Sequence, residues 1–230
     1  MKHAFTLSEV LITLGIISVV AAMTLPTLVK NYQKSVTVNR PKSVYSILYQ
    51  AVRRSEVDNG TLDTWDIPAK STAYEPSKTF ATTYFTPYLK NVQECKGKHC
   101  LSDVSYDIDG TKRVNKSELY TLVLANGTTI YFFPRGNIVE IGIDINGKQA
   151  PNTRGKDKFT LIVSKNAISS DYFGIQDKPG LFFYGQGQSN DYLKTTRYAC
   201  SKTEGIDYRG LFCGALIMQN GWKIPYDYPW

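Results

Sequence analysis

The feature that most constrains this chain is an almost unbroken apolar run near its N-terminus, AFTLSEVLITLGIISVVAAMTLP, at residues 4–26. The part from Phe5 to Leu25 would be about 31 Å long as a helix, close to the ~30 Å hydrocarbon thickness of a bilayer. The run contains one carboxylic acid, Glu9, near its start. A lone acid in a spanning helix costs about 2.5–3.5 kcal/mol on insertion scales and usually marks a functional site with a partner. The run therefore predicts a membrane helix whose acid serves a purpose.

Two simpler interpretations leave Glu9 unexplained. A secretory signal peptide would use Lys2 as its basic region and the small residues Ala21 and Ala22 as its cleavage site. A plain membrane anchor would need only the apolar length. A helix that leaves the bilayer and packs beside identical helices does need the acid, because the amino terminus of a neighbouring copy can pair with it. We favour this third interpretation.

The same stretch resembles the N-terminus of the type IV pilins and of the pseudopilins of type II secretion. In that family a short basic leader and a small residue precede Phe-Thr-Leu-x-Glu and an apolar helix. The resemblance implies that residues 1–4 are a leader, that prepilin peptidase cleaves between Ala4 and Phe5, and that Phe5 is then N-methylated. It also implies that Glu9 pairs with the terminal amine of the next subunit. Ala4 stands where Gly is usual, and Ser8 where Ile is common.

Downstream of the apolar run, the sequence predicts a second, amphipathic half of the same helix. KSVYSILYQAVRRSEVDNG has apolar residues at helical spacing, and Asn59-Gly60 is a helix stop signal. Because proline lacks a backbone donor, we expect an interruption at Pro26 and a second break at Pro41. We divide the chain into a prepilin leader, a transmembrane and filament-core helix, the amphipathic half of this spine helix and a globular head. These are residues 1–4, 5–26, 27–59 and 60–230.

The head sequence predicts a short helix followed by an antiparallel sheet. SKTFATTYFTPYLKNV has aromatic residues at helical spacing, with Ser77 as its cap. LYTLVLANGTTIYFF consists of two β-rich runs joined by Asn126-Gly127, a strong hairpin signal. NIVEIGIDI, KFTLIVS and GLFFYG predict further strands. Trp222 and Ile224 are expected in a last strand, or else on an aromatic contact surface. Together with the resemblance, these patterns imply an α+β pilin-like fold in which the long helix packs on the sheet.

The chain has four cysteines, an even number. They are Cys95, Cys100, Cys200 and Cys213. In an exported protein this count predicts two disulfides, whereas in a reducing compartment the residues would be thiols or metal ligands. Since the N-terminus indicates export, we favour Cys95–Cys100 and Cys200–Cys213, each of which brackets turn-forming residues. A zinc site built on His99 would lack the rest of its ligands.

The sequence offers little for catalysis or for a cofactor. Of the two histidines, His3 would leave with the leader and His99 is isolated in its loop, so we predict no enzyme and no cofactor. DINGK, with Asp157 nearby, raises calcium as a less favoured alternative to an ordinary turn, because it lacks the EF-hand glycine and glutamate. The calcium ligands would be Asp144, Asn146 and Asp157.

Composition and the resemblance together set the expected function. The net charge of +7 is spread over mixed-sign stretches, so specific nucleic-acid binding is not indicated. The resemblance implies a structural subunit of a type IV pilus-like or type II secretion pseudopilus filament. Its partners would be prepilin peptidase/methyltransferase, other pilin or pseudopilin subunits and the inner-membrane assembly platform. It would be single-pass in the inner (cytoplasmic) membrane with its head outside the cytoplasm, and later part of a filament in the periplasm or on the cell surface. The alternative is a membrane-anchored or secreted binding protein with no filament role.

Overall fold

The computed structural model describes residues 6–96, 100–115 and 118–230. The leader, the Ala4–Phe5 bond and His99 lie outside the described residues. The chain divides into two compact units: the first ends at Val36, and the second runs from Thr37 to Trp230.

A single helix, α1 (Leu7–Asn59), follows the N-terminus. It continues through Pro26 and Pro41, so the two predicted interruptions are wrong. Each proline removes only one backbone donor, and the hydrogen bonds of the flanking residues maintain the helix on both sides. The predicted amphipathic half is confirmed, because the residues spaced along one face are buried. They are Val44, Leu48, Ala51 and Val52.

The second unit contains ten strands and three further helices among the described residues. In chain order the strands are β1 (Gln93–Lys96), β2 (Val104–Tyr106), β3 (Lys112–Val114), β4 (Tyr120–Val123), β5 (Thr129–Pro134), β6 (Ile138–Asp144), β7 (Lys158–Ser164), β8 (Ile168–Ser170), β9 (Gly174–Gln176) and β10 (Gly180–Phe183). The helices are α2 (Tyr74–Tyr84), α3 (Asn190–Thr195) and α4 (Cys213–Gln219). Short 3₁₀ turns lie at Leu62–Thr64 and Thr86–Tyr88.

Six of these strands form the central antiparallel sheet, in the order β1-β4-β5-β6-β7-β10. Strands β2 and β3 form a separate pair, as do β8 and β9. The predicted hairpin is confirmed: β4 and β5 are joined at Asn126-Gly127, where Gly127 has φ +79°. The strands predicted from NIVEIGIDI, KFTLIVS and GLFFYG are confirmed as β6, β7 and β10. The α+β pilin-like architecture, a long N-terminal helix followed by an antiparallel sheet, is therefore present.

One face of the sheet forms the core with α2. Phe132 on β5 packs against Phe80 and Phe85, with ring centroids 6.4 and 5.1 Å away. Ser77 lies inside α2 and not at its start, so its predicted capping role is wrong. Its hydroxyl instead donates to the Phe132 carbonyl at 2.6 Å and accepts from the Tyr120 N–H at 3.0 Å. A tertiary contact with the sheet therefore determines the position of this serine.

The C-terminal residues do not form the predicted last strand. Residues 220–230 are turns and irregular chain, and Trp222 has a positive φ of 60° that a strand does not allow. Trp222 packs instead against Tyr45 of α1 and Phe183 of β10, at centroid distances of 6.1 and 5.8 Å. Trp222 is half-buried in this aromatic cluster and takes no part in a strand ladder.

Candidate functional site

Helix α1 begins with a reciprocal cap between Thr6 and Glu9. The Glu9 carboxylate accepts hydrogen bonds from the backbone N–H and the hydroxyl of Thr6, at 2.8 and 2.7 Å. The Thr6 hydroxyl oxygen accepts the Glu9 N–H at 3.3 Å. This arrangement is a capping box. Its sequence signature, Thr-Leu-Ser-Glu, is present in the chain, but the sequence analysis missed it. In the single chain, the carboxylate therefore satisfies donors at the start of its own helix.

The first unit exposes an apolar surface on nearly every side of α1. Ile12 is 63% exposed, Ile17 63% and Leu28 62%. Among the described residues, α1 is the helix that is long and apolar enough to cross a membrane. Contiguous apolar surface of this extent is covered by lipid or by other protein. Glu9 lies within this surface, next to the predicted processing site.

The structure joins the cysteines as two local disulfides, Cys95–Cys100 and Cys200–Cys213. Cys200 and Cys213 are buried, and Cys213 begins α4. A Cβ on Gly155 would lie 2.6 Å from the sulfur of Cys213, so the backbone of this loop packs directly against the second disulfide. The second disulfide therefore lies in the core of the head.

The residues considered for calcium are already engaged with protein groups. Asp144 is fully buried, and its Oδ2 accepts from the ammonium of Lys158 at 3.2 Å. Asp157 accepts the backbone N–H of Asn152 at 2.7 Å. Burial raises the pKa of Asp144 to about 6, against the opposing effect of Lys158, and burial also raises the pKa of Asp157. Asn146 donates its backbone N–H to Asp144 at 3.4 Å. Within the described ranges, no group of three or more His, Cys, Asp or Glu residues is placed to hold a metal ion.

A pocket of about 370 Å³ lies on the face of the sheet opposite Phe132. Its floor comes from β5, β6 and β7, where side chains alternate between the two faces. Tyr131 is paired with Gly142 on the neighbouring strand. The ring of Tyr131 lies over the Cα of Gly142, where a Cβ would come within 1.9 Å of the ring. Five aromatic residues line the pocket: Tyr131, Phe133, Tyr184, Tyr198 and Tyr208.

Four cationic side chains and one carboxylate also line this pocket. They are Arg113, Arg135, Arg154, Lys158 and Glu140. The Nε of Arg135 lies 2.9 Å from Glu140 Oε1. Burial raises the pKa of Glu140, and Arg135 opposes that shift. Arg113 and Arg154 both bond to the buried carboxylate of Asp107, at 2.6 and 3.0 Å. The sequence analysis missed this pocket, because its residues come from separate segments.

In the comparisons with known proteins, two parts of the chain match two different family models. Residues 1–25 match the model of the prokaryotic N-terminal methylation motif, the prepilin-type signal of pilins and pseudopilins. This match confirms the resemblance and indicates processing by prepilin peptidase, membrane anchoring and assembly with other pilin-type subunits. Residues 27–230 match the model of a family of unknown function, DUF6613, and the chain belongs to that family. No curated protein and no solved structure was found to match the chain.

Proposed function

We propose that this chain is a structural subunit of a type IV pilus-like or type II secretion pseudopilus filament. The observation that supports it best is the methylation motif at residues 1–25, joined to a helix whose apolar side chains are exposed in the single chain. In this proposal the helix first spans the inner membrane and then packs among the helices of other subunits. Van der Waals packing and a paired Glu9 replace the contacts with lipid.

The proposed organisation assigns one task to each segment of the chain. Residues 1–4 are the leader, 5–26 the transmembrane and filament-core helix, 27–59 the amphipathic half, and 60–230 the disulfide-bonded head outside the cytoplasm. The subunit engages the peptidase, the inner-membrane assembly platform and other subunits. It becomes part of a filament in the periplasm or on the cell surface. Its role is structural and not enzymatic.

Mass spectrometry of the mature N-terminus tests this proposal. The protein is recovered from cells that contain prepilin peptidase. We expect a mature chain that begins with N-methylated Phe5. The matched variants are Ala4→Glu, which places a charge at the predicted cut, and Ala22→Leu, which removes the signal-peptidase alternative while keeping the helix apolar. Ala4→Glu should remain a membrane-held precursor, and Ala22→Leu should mature normally. Normal maturation of Ala4→Glu, or a parent N-terminus immediately after Ala22, would refute the assignment.

A further inference from the structure

We propose that the pocket on the sheet face opposite Phe132 binds an acidic saccharide through the carboxylate of a sugar-acid residue. This inference concerns the head alone and does not depend on the filament role. The pocket has about 370 Å³ of space, within the usual range of about 300–1,000 Å³ for small-molecule sites. Its lining combines aromatic rings, cations and one carboxylate, and each group selects a different part of such a ligand.

Arg154 provides the contact to the carboxylate. Its Nε donates to Asp107 Oδ1 at 3.0 Å, while its two terminal nitrogens make no hydrogen bond to the residues that the structure describes. The guanidinium also lies 5.1 Å from the ring centroid of Tyr208. Asp107 is 1% exposed, so the partner that holds Arg154 is itself fixed. A guanidinium held at Nε presents its remaining N–H groups in the planar geometry that pairs with a carboxylate.

Two tyrosine hydroxyls supply neutral polar contacts. Tyr184 is 6% exposed and lines the pocket, and within the described part of the chain its hydroxyl has no hydrogen-bond partner. The same is true of the hydroxyl of Tyr198, whose ring meets that of Tyr184 edge-on at 5.9 Å. Burial raises the pKa of Tyr184 still further above neutral pH, so its hydroxyl is protonated and can donate. Tyr198 is half-buried, and neither hydroxyl is a fully buried group without a partner, so both can be reached from the pocket. They are therefore available to bond to the hydroxyls of an occupant.

Glu140 distinguishes a sugar acid from a phosphate ligand. Its carboxylate lies in the lining and is matched by Arg135, so the pocket offers an acceptor for ligand hydroxyl donors. The same carboxylate opposes any anion, and it repels a dianionic phosphate about twice as strongly as a single carboxylate at the same distance. The rings of Phe133 and Tyr131 provide apolar surface for the C–H face of a compact ring. A ligand with one carboxylate, several hydroxyls and an apolar face satisfies all of these groups, and an acidic sugar has this composition.

The test is calorimetric titration of the full mature chain in micelles of a detergent without a sugar headgroup. The probes are an oligomer of three galacturonic acid residues, the neutral galactose oligomer with the same linkages, and a single-stranded oligonucleotide of equal charge. We expect saturable binding of the acidic oligomer, and at least about tenfold weaker binding of both other probes, because a charged hydrogen-bonded contact is lost or misplaced. Absence of binding, equal binding of the neutral oligomer, or tighter binding of the oligonucleotide would each overturn the proposal.

Paired variants localise the binding to the pocket. Arg154→Lys keeps the charge but loses the planar fork, and should weaken binding about tenfold. Tyr184→Phe removes one hydroxyl and should weaken it severalfold. The controls are Arg53→Lys on the exposed surface of α1, and Tyr192→Phe, whose hydroxyl donates to the Asp171 carbonyl outside the pocket. Each protein is first checked by its melting temperature, and if Arg154→Lys does not fold, Tyr184→Phe decides. Equal losses in the pocket variants and their controls, or unchanged binding by Tyr184→Phe, would refute the site.

Discussion

At the scale of single residues, the pair of Asp144 and Lys158 illustrates how burial determines the role of a charged group. Their side chains are 0% and 9% exposed, and the ammonium lies 3.2 Å from the carboxylate. Asp157 adds a second negative charge nearby. Because both partners have left water, the pair contributes little net stability, whereas removal of one partner leaves a buried charge without compensation.

We therefore expect Lys158→Met to lower the free energy of unfolding of the head by about 3–5 kcal/mol at pH 7. The pKa of Asp144 is already raised from 3.8 to about 6 by burial, and loss of Lys158 raises it further. An acid whose pKa is higher in the folded state binds more protons there, so the stability that it costs at neutral pH is recovered as the pH falls through that pKa.

The measurement is the melting temperature of parent and variant at pH 7 and pH 5. The difference in melting temperature between Lys158→Met and the parent should be smaller at pH 5, because Asp144 is then largely protonated. Lys148→Met is the control, since Lys148 is exposed in the same region, and it should melt like the parent at both pH values. A Lys158→Met deficit of equal size at both pH values would contradict the burial argument.

At the scale of helices and strands, local signals predicted local structure. Asn126-Gly127 predicted the hairpin of β4 and β5 because the turn type depends on those residues themselves. The long apolar runs predicted β6 and β7 because the strand residues themselves carry that pattern. The three-residue strands of the two small sheets were missed, because three residues are too few to show a period.

Features that depend on distant partners could not be predicted in this way. Ser77 looks like a helix cap in sequence, yet its hydroxyl bonds to groups 43 and 55 residues away. The pocket is a stronger case. Arg113, Tyr131, Arg154 and Tyr184 come together only when the sheet and the C-terminal loops have folded, and no spacing in the sequence encodes that convergence.

The two disulfides differ in depth, and we predict that they differ in energy. Cys200–Cys213 closes a 13-residue separation in the core, whereas Cys95–Cys100 closes only 5 residues and begins on the edge strand β1. Longer loops lose more unfolded-state entropy on closure, and loss of a native disulfide typically costs about 2–5 kcal/mol. The double variant Cys200→Ala/Cys213→Ala should therefore melt well below Cys95→Ala/Cys100→Ala.

Peptide mapping without reduction provides the accompanying check. It should recover Cys95 linked to Cys100 and Cys200 linked to Cys213. A long-range link such as Cys95–Cys200 would contradict the connectivity while leaving export intact. Four free thiols in the mature protein would contradict the predicted export to an oxidising compartment. Equal melting temperatures for the two double variants would contradict only the difference in energy.

At the scale of the whole molecule, the two units are suited to different surroundings. The first unit exposes apolar side chains along α1, while the second buries its apolar residues around the sheet. The match to the methylation motif ends at residue 25, and the DUF6613 match begins at residue 27. The methylation motif therefore covers the apolar start of α1, and the DUF6613 model covers the rest of α1 together with the head.

Glu9 is the single residue on which the proposed assembly depends most, and it has two distinct candidate roles. As part of the capping box it bonds to Thr6 in the single chain. As the acid of the pilin-type motif, it would pair with the Phe5 amine of a neighbouring subunit in a low-dielectric setting, where pairing strengthens and an unpaired charge is penalised. Glutamine at this position keeps the capping box but removes the charge, so the two roles can be separated.

The most direct test of the filament account compares membrane-fraction abundance with sheared-filament or secretion-complex abundance for the parent, Glu9→Gln and Glu9→Val. Both variants should insert into the membrane at least as well as the parent, since the charge in the span is gone. Both should be strongly depleted from assemblies, because the incoming amine has lost its partner. Normal incorporation of Glu9→Gln alone would assign Glu9 to helix capping, and equal incorporation of all three proteins at equal membrane levels would contradict the account.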